Sequence, residues 1–229
     1  MRQEIRYAFI KTIPVLLGYL FLGLAFGLLL QKSGYSFWWA LLSSTVIYAG
    51  SIQFVLVSFL SGGTSLLTAA VMTLLINSRH AFYGLSFVEK FRSMKTYPYM
   101  VFSLTDETYS LLCSTKVPEG MEERRVLFLI SFFDQCYWVT GSVLGAALGE
   151  ILPFDMTGID FAMTALFVTI FVDQWRGVKS HLPALIGLGS SILCLLIFGG
   201  SNFILPSLIL TVTLLMALER PIEKKEAAL

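Results

Sequence analysis

Residues 64–87 read TSLLTAAVMTLLINSRHAFYGLSF. The stretch has about the length an α-helix needs to cross a hydrocarbon core of roughly 30 Å, and its centre falls at Ile76 and Asn77. Immediately after that centre stands Asn77-Ser78-Arg79-His80. A charge near the middle of a spanning helix costs roughly 2.5 to 3.5 kcal/mol on insertion scales, so Arg79 is expected to face protein or water and to have a partner. The same stretch therefore indicates a membrane helix and the place to look for a site within it.

The rest of the chain agrees with a membrane environment. It has 229 residues, of which 56% are hydrophobic and 14% charged; soluble domains carry about a quarter charged residues. The expected fold is an all-α, polytopic bundle of transmembrane helices forming one domain over residues 1–229. Seven or eight hydrophobic segments can be read: Ile13–Leu30, Phe37–Leu60, Thr64–Phe87, Tyr97–Ser114, Val126–Ile151, Ile159–Val172, Pro183–Phe198 and Phe203–Leu218. Some are irregular. Tyr97–Ser114 contains Asp106 and Glu107, Phe37–Leu60 contains Tyr48-Ala-Gly-Ser-Ile-Gln53, and Ile159–Val172 is short. Broken or re-entrant segments are expected there, because backbone can leave the helix at membrane depth only where protein or a water-filled cavity satisfies it.

Lysine and arginine gather in residues 2–11, 90–95, 116–125, 176–179 and 220–225. Cationic loops stay in the cytoplasm, so residues 1–12 and the tail 219–229 are expected there. Simple alternation of eight crossings cannot place all these clusters on one side. Putting 90–95 and 116–125 together requires the Asp106 segment to enter and return, and one of the first two segments is then expected not to cross fully. The run after Arg2, Arg6 and Lys11 is too long for a signal-peptide core and lacks an Ala-x-Ala exit, so it reads as an uncleaved first helix.

Several function classes are set aside. A net charge of +1, with no basic stripe, speaks against nucleic-acid binding. Cys113, Cys136 and Cys194 have no metal-ligand spacing, so no metal or other cofactor is expected. No phosphate-binding P-loop motif occurs, so the chain is not itself an ATPase.

The candidate substrate and ion pathway is assembled from polar residues inside apolar segments: Tyr48, Gly50, Ser51, Gln53, Asn77, Arg79, His80, Asp106, Glu107, Tyr109, Asp134, Gln135 and Tyr137. One fixed cation faces three carboxylates. Arg79 can neutralise one of them, leaving at least one other to be neutral or proton-exchanging. Tyr48–Phe54 offers a small-residue island where a helix break could expose amides and carbonyls to a zwitterion. Gly23-xxx-Gly27 and Gly141-xxx-Gly145-xxx-Gly149 are small-xxx-small faces that mark helix contacts, within the chain or with another subunit. Ser103-x-x-Asp106-Glu-x-Tyr109 is echoed by Ser131-x-x-Asp134-Gln-x-Tyr137, either a trace of a repeat or a chance recurrence.

Five motifs carry a family resemblance: PVLLGYLFLGLAFG at 14–27, AGSIQF at 49–54, NSRHAFYG at 77–84, SLTDETY at 103–109 and DQCYWVTG at 134–141. Together, and in this order, they resemble the AzlC family of branched-chain amino acid permeases. The resemblance implies export of leucine, isoleucine, valine and analogues across a bacterial inner membrane. It also implies a small hydrophobic partner subunit of the AzlD type. It supplies no catalytic residue set, so the pathway residues rest on the membrane argument. Two other readings stand beside it: an intramembrane hydrolase with Ser51 as nucleophile and His80 as base, and a passive channel.

Overall fold

The computed structural model describes residues 2–151, 160–177, 180–200 and 203–218. All the regular structure there is helical: α1 Arg2–Lys32, α2 Phe37–Val46, α3 Gly50–Gly62, α4 Leu66–Arg92, α5 Tyr97–Phe102, α6 Asp106–Ser114, α7 Glu123–Ile151, α8 Asp160–Gly177, α9 Leu182–Phe198 and α10 Ile204–Ala217. The eight apolar segments become ten helices because two of them are broken. The expected cytoplasmic tail, 219–229, and residues 152–159 lie outside the described residues.

Two helices, α1 and α7, are long and apolar enough by themselves to cross a bilayer. Large apolar side chains stand exposed along the chain, among them Leu17, Phe21, Trp38, Leu66, Leu74 and Leu196. In water such a surface would aggregate; against lipid tails it is matched.

The helices fall into two compact units, 1–64 with 76–164, and 65–75 with 165–229. In the first, α1 and α7 pack closely, and their glycines decide how closely. A Cβ added at Gly23 would lie 2.9 Å from Ser142 N, and one at Gly141 would lie 2.9 Å from Leu20 O. At Gly27 and Gly145 an added Cβ would collide outright with Ser142 and Leu24 backbone. Both small-xxx-small faces thus meet each other inside the chain. Lipid offers no hydrophobic drive between helices, so this close backbone approach is what gives the seam its dispersion energy.

The first break falls at Ile47–Ala49. Tyr48 sits there at φ 42°, the one non-glycine residue with positive φ among those described. Such a conformation costs an L-residue roughly 1–2 kcal/mol and persists only where its surroundings hold it. Gln53, fully buried, does the holding: its Oε1 accepts from Ala49 N (3.2 Å) and Trp138 Nε1 (2.9 Å), and its Nε2 donates to Ser44 Oγ (3.1 Å). One amide therefore ties both halves of the broken segment to α7.

The second break, Ser103–Thr105, separates α5 from α6. Six and nine residues rise only about 9 Å and 14 Å, too little for either to cross alone. The flanking cationic clusters are joined at one end of the unit. Lys90 pairs with Glu123 at 2.7 Å, Arg124 donates to Ser93 O, and Tyr7 donates to Lys116 O. Arg125 bridges Glu4 of α1 and Glu122. The two flanks of the broken segment therefore lie side by side, the arrangement a re-entrant segment needs. Beneath these ion pairs lies an apolar core of Phe87, Phe91, Met100, Leu112, Leu127 and Ile130.

In the second unit α9 and α10 pack together. Trp175 stacks flat on His181 with ring centroids 4.0 Å apart. A cavity of about 530 Å³ lies beside Trp175, lined by Pro183, Gly187, Ser207, Thr211 and Leu215 among others.

Candidate functional site

Arg79 organises the site. Helix α4 runs unbroken through Asn77–His80, so the cluster projects from a continuous turn, and successive positions point to different neighbours. The Arg79 guanidinium sends Nη1 to Asp106 Oδ2 at 2.9 Å and Nη2 to Ser51 Oγ at 2.8 Å. Both acceptors lie in the first turn of a half-helix: Ser51 is the second residue of α3 after the first break, and Asp106 begins α6 after the second. A side chain in mid-helix therefore bridges two helix N-termini created by backbone breaks.

Those two N-termini differ. In α6 the cap is Thr105, whose hydroxyl accepts from Thr108 N, and Asp106 and Glu107 complement the positive end of the dipole. In α3 the cap is Ala49, which has no side-chain acceptor to offer. The first amides of a helix have no intrahelical acceptor, so the α3 end can receive an anion. The Arg79 Nε and the Asn77 Oδ1 are likewise buried without a hydrogen-bond partner. Arg79 and Asp106 each keep about a quarter of their side-chain surface open, 25% and 27%. The place is thus polar, accessible and incompletely satisfied, which is what a small polar ligand requires.

Aromatic residues enclose Asp106. Tyr83 donates to Asp106 Oδ1 at 2.8 Å and stacks on Tyr109, ring centroids 4.3 Å apart. His80 Nε2 stands 4.0 Å from Asp106 Oδ1. The hydrolase dyad has no support in this arrangement, since Ser51 accepts from a guanidinium and His80 faces a carboxylate.

A second group joins the other two acids. Glu107 Oε2 is met by Tyr19 OH at 2.8 Å; Tyr19 OH contacts Thr105 Oγ1; Thr105 Oγ1 contacts Thr108 Oγ1 at 3.0 Å; and Thr108 Oγ1 reaches Asp134 Oδ2 at 2.9 Å. Asp134 is fully buried, with Oδ1 unpartnered. The Tyr48 hydroxyl, also buried, makes no hydrogen bond of normal length, although Thr108 and Asp134 are among its electrostatic neighbours.

The remaining candidates hold helices together. Gly50 lets the Trp138 ring lie where a Cβ would come within 3.3 Å. Gln135 accepts from Tyr99 OH and donates to Thr45 O, while Tyr137 shares a hydrogen bond with Thr12. Ser103 lies in the α5–α6 break and Ser131 within unbroken α7, so the two halves of the sequence echo have different local structure. Tyr19, Tyr83, Thr105, Thr108 and Trp138 were absent from the sequence-derived set. Thr105 and Thr108 are uncharged hydroxyls beside Asp106 and Glu107, and nothing in the sequence set them apart.

Comparison with known proteins matches this framework. The family model described as AzlC protein covers residues 14–152, which include both breaks, Arg79 and all three acids. The chain is 38% identical over 224 residues to the branched-chain amino acid transport protein AzlC of Bacillus subtilis, covering 97% of this chain and 88% of that one. It is 39% identical over 217 residues to an uncharacterized membrane protein of Helicobacter pylori, covering 94% and 95%. It is 29% identical over 178 residues to the inner membrane protein YgaZ of Escherichia coli, covering 74% and 72%. No solved structure matches the chain. With its all-helical apolar fold and a polar site built on two broken segments, the chain is a membrane protein that belongs to the AzlC family of transporters.

Proposed function

We propose that this protein is a secondary transporter that moves leucine, isoleucine, valine and close analogues outward across a bacterial inner membrane, driven by a proton or other ion gradient. The observation that carries the reading is Arg79 reaching from α4 to the first turns of α3 and α6. A free amino acid is a zwitterion, and this place holds complementary groups for both of its charges. The carboxylate would be received by Arg79 and the uncapped amides of α3, the ammonium by Asp106, with the aliphatic side chain against the surrounding aromatic rings. Tyr48, Asn77, His80 and Tyr109 belong to the same pathway, and Glu107 and Asp134 to the ion route.

The substrate class comes from the B. subtilis relative, whose name states branched-chain amino acid transport. The lysine and arginine clusters tied together at one end of the first unit support a cytoplasmic N-terminus by the positive-inside rule. A small hydrophobic subunit of the AzlD type completes the proposed exporter. Cells preloaded with labelled leucine and expressing the chain, alone or with such a subunit, test direction and partner together. Faster loss of label than in cells with an empty vector is expected, at least for the pair. Equal retention in all three would reject export.

A further inference from the structure

The hydrogen-bonded row between Glu107 and Asp134 sets a proton count that can be read from its oxygens. In order they are Glu107 Oε2, Tyr19 OH, Thr105 Oγ1, Thr108 Oγ1 and Asp134 Oδ2, joined by contacts of hydrogen-bond length. Five oxygens in a row make four links, and each link needs one proton between its two oxygens. A hydroxyl carries one proton. Tyr19, Thr105 and Thr108 together supply three. If Tyr19 donates to Glu107, Thr105 to Thr108 and Thr108 to Asp134, then the close Tyr19–Thr105 contact has no proton in it. The fourth must come from a carboxylic acid at one end.

We infer that Glu107 and Asp134 share a single proton through Tyr19, Thr105 and Thr108, and that this row is the proton path of the transporter. The assignment of a path rests on the transport reading above; the proton count does not. With Glu107 protonated, every donor points toward Asp134: Glu107 to Tyr19, Tyr19 to Thr105, Thr105 to Thr108, Thr108 to ionised Asp134. Transfer breaks the Glu107 O–H bond as Tyr19 gains that proton and passes its own onward. Each hydroxyl gains one proton and loses one, and Asp134 gains the last. The row then points the opposite way, toward ionised Glu107, with no atom displaced by more than a bond length.

The setting suits such a relay. Tyr19, Thr105, Thr108 and Asp134 are all at least nine-tenths buried, so bulk water does not compete for their hydrogen bonds. The two ends differ. Glu107 lies within electrostatic reach of Asp106 and Arg79, the groups assigned to the amino acid. Asp134 lies within electrostatic reach of Tyr48 of the first break, Tyr99 of α5 and Tyr19 of α1, and its Oδ1 is buried with no partner. A substrate ammonium arriving at Asp106 would repel a proton near Glu107, which biases the shared proton toward Asp134. Substrate and proton are thereby coupled through one row of hydroxyls.

Two measurements test this. Infrared spectroscopy of the purified protein is expected to show carboxylic-acid carbonyl absorption worth one group per chain that is absent from the double variant Glu107→Gln/Asp134→Asn. Both acids are replaced together because an amide can donate or accept at either end of the row. A difference between wild type and the double variant amounting to two groups, or to none, would overturn the shared proton. In proteoliposomes with a lumenal pH dye, leucine addition should move protons in wild type and in Thr108→Ser, and not in Thr108→Val, which keeps the shape but removes the hydroxyl. Labelled leucine counterflow should persist in Thr108→Val. Full proton movement in that variant would overturn the path. Absent counterflow in wild type would instead reject the transport reading, with the infrared result still deciding the proton count.

Discussion

Replacing Arg79 with Gln removes the cation that contacts both half-helices, and the structure allows the consequence to be sized. Two interactions are lost: the ion pair to Asp106 at 2.9 Å and the hydrogen bond to Ser51 at 2.8 Å. Hydrogen bonds to charged groups contribute about 1.5–3 kcal/mol, and side chains a quarter open to the surroundings belong toward the lower end. If a substrate carboxylate relies on the same guanidinium, its transport should weaken by that amount, about 10- to 30-fold in the leucine half-saturation constant. The assay is leucine counterflow at matched protein density. A companion variant separates binding from scaffolding. Arg79→Gln combined with Asp106→Asn removes the unpaired acid as well, so a purely structural role would be repaired in the double variant. Thermal stability is expected to recover in the double variant, which reads scaffolding alone; leucine affinity, which also needs Asp106 for the ammonium, is read from Arg79→Gln. A half-saturation constant within twofold of wild type in Arg79→Gln would refute the carboxylate role.

The α1–α7 seam should tolerate no added volume: Gly145→Leu is expected to cost well over the ~1–3 kcal/mol of ordinary overpacking, because the colliding atoms are Leu24 backbone, and to appear as loss of the folded peak in detergent chromatography. Tyr48→Phe removes a buried hydroxyl that has no hydrogen bond of normal length, so thermal stability should rise by about 1 kcal/mol or stay level while leucine transport falls; unchanged transport would take Tyr48 out of the pathway. Gln53→Leu leaves Ala49 N and Trp138 Nε1 without their acceptor, and should destabilise by roughly 2–4 kcal/mol in a thermal melt of the purified protein.

Much of this was legible in the chain itself. Apolar segments of spanning length gave the helical membrane fold, because a bilayer imposes that length directly. The charge clusters at 90–95 and 116–125 suggested that the intervening segment returns, and the Lys90–Glu123 pair joins its two flanks. The Tyr48–Gln53 island marked the first break, since small and polar residues in a spanning segment need a local reason. Partner choice was harder. Arg79 was expected to find an acid among three, and which one depends on where α6 begins, a tertiary fact. The apolar run 64–87 put Asn77–His80 near mid-span without revealing that α4 passes through unbroken. Thr105 and Thr108 carry no charge and were invisible until packing set them between Glu107 and Asp134. Gln53 shows the opposite case: a polar residue in a spanning segment whose amide is occupied by the fold, bonded to Ala49, Ser44 and Trp138.

The central claim is that this fold carries branched-chain amino acids by a saturable, alternating site. Labelled leucine counterflow into proteoliposomes preloaded with unlabelled leucine, with the purified chain reconstituted alone and with a small hydrophobic partner, tests it most directly. Transient accumulation of label is expected, saturating with leucine and abolished by excess external isoleucine or valine but not by lysine or glutamate. Linear, non-saturating entry would indicate a channel, and absence of exchange for every aliphatic amino acid would contradict the account.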